Sequence, residues 1–146
     1  MDSSVLLEYL DEESPFFEAV SSLMKAVAEG SVKAFITPLT LSEVVYVSPR
    51  IYSEAKVENP NQEALKYAAW LLSLSGTKLV TLTEQIALEA GELRKELRIS
   101  LADCYVVAAG KALNASPLFL KMEREMELHL ELLKRLGVEF LEELRC

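Results

Sequence analysis

Apolar positions along the chain recur with two periods, and the switches between them predict the elements. Ser14-Pro15 reads as an N-cap with proline in the first turn, opening a helix through about Glu29 that Gly30 stops. Lys33 to Thr37 is a short strand ended by Pro38, and a helix then starts near Thr40 and carries Val44, Val45 and Val47 towards Pro49. Asn59-Pro60-Asn61 breaks the chain before a helix in which Leu65, Ala69 and Leu72 share a face at helical spacing. Gly76 ends it, and Lys78 to Leu82 is the clearest strand. Thr83 caps a helix to about Leu97, and Ser100 starts another that ends near Asn114. Beyond Ser116-Pro117 follow a short apolar piece, Leu118 to Leu120, a helix from about Met122 to Leu136, and a last strand, Val138 to Leu141.

Short strands separated by helices predict an α/β fold, a three-layer α/β/α sandwich with a mostly parallel central sheet. The 146 residues make one domain, 1–146, with no internal repeat or interdomain linker. In such sheets ligands gather at the carboxyl ends of the strands, near the point where strand order reverses.

Composition narrows the picture. With 51% apolar residues the chain has material for a real core, which sets disorder aside. Fifteen Lys and Arg against 23 Asp and Glu leave a net charge of −8, a poor balance for general polyanion binding. Bound metal supplying local positive charge, or a basic protein partner, would suit it better. The two cysteines lack metal-ligand spacing; Cys104 reads as a small core residue and Cys146 as a stray thiol. The longest apolar runs, Tyr67 to Leu72 and Cys104 to Ala109, fall far short of the ~20 residues that span a bilayer, and the expected location is cytoplasmic.

Three acids stand where an apolar segment hands over to a helix: Asp2 in DSSVLLEYL, Glu43 in TLSEVVYV and Asp103 in SLADCYVVAAGKAL. Each has a plain alternative. Asp2 suits a solvated terminus or a helix cap, while Thr40-Leu-Ser-Glu43 and Ser100-Leu-Ala-Asp103 both match the capping box. Arg94, Lys95 and Arg98 form the densest basic cluster, suited either to contacting phosphates or to a helix carboxyl end. His129, the single histidine, sits on a highly charged helix and reads as a solvated face. No Gly-rich phosphate loop, nucleophile elbow or Cys/His zinc pattern occurs.

DSSVLLEYL, LSEVVYV about forty residues on, and SLADCYVVAAGKAL together resemble the PIN-domain family, in particular the VapC-type toxins of prokaryotic toxin–antitoxin pairs. The resemblance covers essentially the whole chain and implies a metal-dependent endoribonuclease. Asp2, Glu43 and Asp103 match the family's core acids as ligands of Mg²⁺ or Mn²⁺, hard ions that prefer oxygen donors, and Ser4 matches a supporting hydroxyl. Family members often carry a fourth acid in a T-G-D-like stretch. Here Glu123, twenty positions after Asp103, is the nearest match, with a favourable first-turn glutamate as the alternative. The family also places its first acid at the end of a strand, whereas only Met1 precedes Asp2; either that strand is very short or the native start lies upstream.

The resemblance further implies an RNA substrate, a VapB-like antitoxin and a homodimer. The helix face bearing Trp70, Leu71 and Leu74 is a candidate self-association surface, with core packing as the alternative. A catalytically weak binding or regulatory module, or a nuclease of RNA maturation, are the competing readings.

Overall fold

The computed structural model describes residues 1–144; Cys146 lies outside the described residues. The elements run α1 (Ser3–Glu8), α2 (Phe17–Ala28), β1 (Ala34–Ile36), α3 (Pro38–Glu54), α4 (Pro60–Ser73), β2 (Thr77–Leu79), α5 (Glu84–Leu97) and α6 (Leu101–Leu113). Then come β3 (Leu118–Phe119), α7 (Arg124–Glu127), α8 (Leu130–Arg135), β4 (Glu139–Phe140) and a 3₁₀ turn over Leu141–Leu144.

β1 pairs with β2 and β3 with β4, both in parallel. The first two residues join the pairs. The Met1 nitrogen donates to Phe35 O at 2.9 Å, and Asp2 N donates to Leu118 O at 2.9 Å. Met1-Asp2 therefore occupies the central strand position, and the order across the molecule is β2, β1, Met1-Asp2, β3, β4. These two residues bridge the two strand pairs by one hydrogen bond to each, without forming a strand of their own.

Alternation along the strands divides the core between two faces. Ala34 and Ile36 face one cluster with Val5, Leu6, Val20 and Leu71, from α1, α2 and α4. Phe35, Phe119 and Phe140 face the other, against Leu93, Leu97 and Val107 of α5 and α6. The expected three-layer sandwich results.

Local chemistry explains most boundaries. Thr37 caps α3, its hydroxyl accepting from Thr40 N at 3.1 Å with Pro38 in the first turn, so this helix starts before Thr40. It also runs through Pro49 to Glu54. The loss of a helix hydrogen bond, a cost of about 3 kcal/mol, is outweighed by packing along a 17-residue helix with Val44 and Ser48 buried. Gly30, at φ 77°, ends α2 as expected. Gly76 allows a close backbone approach, because a Cβ there would lie 2.2 Å from Val32 O.

Two expected faces are corrected. On α4 the buried positions are Ala64, Tyr67, Ala68 and Leu71, while Leu65 and Leu72 point outward. Both sets satisfy helical spacing, and the aromatic stack of Tyr67 with Tyr9 and Trp70 selects between them. Leu71 and Leu74 are accordingly core, and Trp70 is engaged within the molecule, so these three do not form an outward face. The helix expected over Met122 to Leu136 is broken into α7 and α8, turning Leu128 outward while Met126 and Leu133 stay buried.

Candidate metal centre

Because the paired strands run parallel, their carboxyl ends share one edge. Asp2 ends the central bridge, Thr37 leads from β1 into α3 and Glu43, and β3 leads through Leu120 towards Glu123. Asp103 comes to the same place from the first turn of α6.

Asp2 caps α1 and is buried at 5% exposure. Its Oδ2 accepts from Ser4 N at 2.9 Å and Ser4 Oγ at 2.5 Å. Ser4 Oγ in turn accepts from Leu120 N at 3.2 Å, clamping the acid between α1 and the end of β3. The other oxygen, Oδ1, is buried without a hydrogen-bond partner among the described residues. Such an atom in a native core calls for an explanation.

Glu43 is not a capping-box acid. With Thr37 as cap it lies in the second turn of α3, and its Oε2 accepts from Ser3 Oγ at 2.8 Å. Burial raises its pKa, the Ser3 hydrogen bond tempers the rise, and the charges of Asp2 and Glu123 add to it. Ser3 escaped sequence reasoning, since only tertiary placement reveals its bond to Glu43.

Asp103 keeps half of its capping reading. Ser100 Oγ accepts from Asp103 N at 3.0 Å, while the carboxylate does not close the box onto Ser100 N–H. Burial pushes this carboxyl up to about 7; the Ser100 side chain opposes the rise, and Asp2, Glu123 and Glu43 reinforce it. Glu123 is the exposed N-cap residue of α7, just ahead of the first turn where it was expected. Its charge acts on both Glu43 and Asp103. The four acids therefore share one electrostatic neighbourhood.

A divalent cation fits this donor set, which offers hard carboxylate oxygens, one of them buried and unpartnered. Among the described residues, however, no three His, Cys, Asp or Glu side chains stand together closely enough to hold a metal ion as placed.

Beside Asp103 and Glu123 opens a cavity of about 260 Å³, also lined by Arg94 and Arg98. Neither arginine forms an ion pair among the described residues. Lys95 departs from the expected basic cluster: it pairs with Glu92 at 2.7 Å and does not line the cavity. His129 caps α8 without a side-chain bond and stands outside the acid set. Cys104 is buried as expected, and burial raises its thiol to about 11.

No curated protein sequence matches this chain. A solved structure, VapBC2 from Rickettsia felis bound to a DNA fragment from their promoter, is similar in fold, with a TM-score of 0.64 at 15% identity over 94% of each chain. The family model for the PIN domain matches residues 1–137. The chain belongs to the PIN-domain family.

Proposed function

We propose that this chain is a Mg²⁺- or Mn²⁺-dependent endoribonuclease that hydrolyses RNA phosphodiester bonds and serves as the toxin of a VapBC-like pair. PIN domains are generally nucleases and typically depend on divalent metal. The observation that carries the reading is the unpartnered Oδ1 of Asp2, buried in a neighbourhood shared with Glu43, Asp103 and Glu123.

Asp2, Glu43 and Asp103 hold the ion, and Glu123 contributes from the outer side. Ser4 and Ser3 fix the first two carboxylates in place. When bound, the cation offsets charge on the scissile phosphate and supplies an acidified water for attack. Asp103, whose carboxyl burial pushes up to about 7, would have to release its proton to solvent to serve as a ligand. Arg94 and Arg98 receive flanking phosphates, bringing local positive charge to a chain of net −8.

A VapB-like antitoxin, supported by likeness to a solved VapBC complex, belongs to the same proposal, as do a homodimer and a cytoplasmic location. The test is cleavage of single-stranded RNA by the purified chain with Mn²⁺. Activity should vanish with EDTA and in Asp103→Asn while the circular dichroism stays native. Undiminished cleavage under either condition overturns the proposal.

A further inference from the structure

The acids lie between two helical layers that present different groups to them. On one side α5 and α6 pack against the strands, and Arg94 and Arg98 line the cavity beside Asp103 and Glu123. α3 belongs to the other layer, where its Val44 packs with Val5, Val20 and Leu71. Its Glu43 does not line the arginine cavity, so α3 forms the opposite flank of the acid site.

The face of α3 that bears Glu43 continues beyond the acids. With 3.6 residues per turn, positions three and seven further on return to the same side. Tyr46 and Arg50 therefore follow Glu43 along one face, about 4.5 Å and about 10.5 Å down the axis. The buried positions Thr40, Val44 and Ser48 lie on a different face and leave this one to solvent.

Tyr46 is 78% exposed, more than any other aromatic side chain among the described residues. Its ring stacks on no other ring there, and its hydroxyl makes no hydrogen bond. The other exposed aromatic, Trp70, is engaged with Tyr9 at 5.4 Å and 6° between planes. Tyr46 thus offers an open π-face one helical turn from a core acid. Arg50 beside it is paired with Glu54 at 2.9 Å, with both side chains exposed. An ion pair so exposed contributes little and releases its cation readily to a phosphate. An open ring next to a mobile cation is the combination that single-stranded nucleic acid recognises, since bases stack on the ring while the cation follows the backbone.

We infer that Tyr46 is a specificity-determining residue of the nuclease proposed above, a platform for the unpaired nucleobase adjoining the scissile phosphate. Arg50 takes the phosphate beyond it. The RNA strand then runs from Arg94 and Arg98 on one layer, across the acids, to Tyr46 and Arg50 on the other. A base within a duplex has both faces covered by its neighbours, so this contact selects single-stranded or splayed segments.

The test measures Mn²⁺-dependent cleavage of a short labelled single-stranded RNA that is cut at one mapped position. The parent chain, Tyr46→Ala and Tyr46→Trp are compared on the intact RNA and on a set in which one nucleotide at a time is abasic. Tyr46→Ala should lower kcat/KM roughly 10–100-fold, mainly through KM, with Tm nearly unchanged because the ring is exposed. Tyr46→Trp should restore kcat/KM, and the added indole fluorescence should be quenched when RNA binds. In the parent, one abasic position beside the cleavage site should lower kcat/KM by a similar factor. In Tyr46→Ala that same position should have no further effect, since ring and base act as one pair. Parent-like cleavage of the intact RNA by Tyr46→Ala, or an unchanged response of that variant to every abasic position, overturns the inference and leaves the nuclease reading standing. No cleavage of any RNA by the parent overturns both.

Discussion

Replacing Asp103 with asparagine separates the two roles its position allows, because they predict opposite signs. As a first-turn acid, Asp103 would stabilise α6 by about 0.3–1 kcal/mol, and asparagine would lose that. As a carboxylate desolvated beside three others, its pKa rises from 3.8 to about 7 in the folded chain, and the charge destabilises the metal-free protein. Below pH 3.8 the group is protonated in both states and imposes no penalty. As pH rises towards about 7 the unfolded chain releases its proton first, so folding stability falls across that window and stays low above it. A shift of 3.8 to about 7 corresponds to ~4 kcal/mol for an isolated group. The coupled acids share their protons, so removing one charge recovers ~2–4 kcal/mol, or roughly 4–15 °C in Tm. Thermal unfolding in EDTA should therefore find Asp103→Asn more stable than the parent at pH 8, with the gap closing towards pH 4, even as nuclease activity disappears. A variant equally or less stable at pH 8, with no pH dependence in the difference, would refute the desolvation argument and leave capping as the whole role.

Ser4→Ala removes the hydroxyl that bridges Asp2 Oδ2 and Leu120 N, and should cost about 1–3 kcal/mol by denaturant titration while weakening Mn²⁺ binding by calorimetry. Ser3→Ala frees Glu43 without touching the core, so it should lower metal affinity or activity roughly 10–100-fold with Tm nearly unchanged. Arg94→Ala combined with Arg98→Ala should raise KM for single-stranded RNA and flatten the log–log salt dependence of binding by about 1.4 for two lost phosphate contacts. Gly76→Ala drives a Cβ against Val32 O and Val27 O and should destabilise by about 3 kcal/mol in a urea melt, with m unchanged.

The sequence is explicit about the architecture where punctuation is strong. Gly30, Thr83, Ser100 and Asn114 each mark a boundary that the backbone honours, since caps and left-handed turns act locally. It is less explicit where packing decides. The α4 sequence offers two helical faces, and the stacking of Tyr67 with Tyr9 and Trp70, remote in sequence from Tyr9, chooses the one that buries Leu71. Proline at position 49 signals a stop, yet the helix continues, held by the burial of Val44 and Ser48 on its inner face.

The acids follow the same division. Glu43 sits in a capping-box pattern, but Thr37 captures the helix start and releases its carboxylate towards Ser3. The Ser3 contact and the Leu120 bond to Ser4 cross 40 and 116 positions respectively, beyond the reach of any local pattern. The nearness of Glu123 to Glu43 and Asp103 agrees with its spacing from Asp103, whereas the separation of Lys95 from Arg94 and Arg98 depended on its ion pair with Glu92.

The central claim is that four separated acids make one cation site around the open oxygen of Asp2. A crystal structure of the chain with Mn²⁺, using the metal's anomalous signal, tests it most directly. The account predicts one Mn²⁺ at about 2.0–2.3 Å from Asp2 Oδ1, with Glu43 and Asp103 turned inward to complete its protein ligands. Saturating Mn²⁺ with no anomalous peak at these acids, and Asp2 Oδ1 still unpartnered, would contradict it.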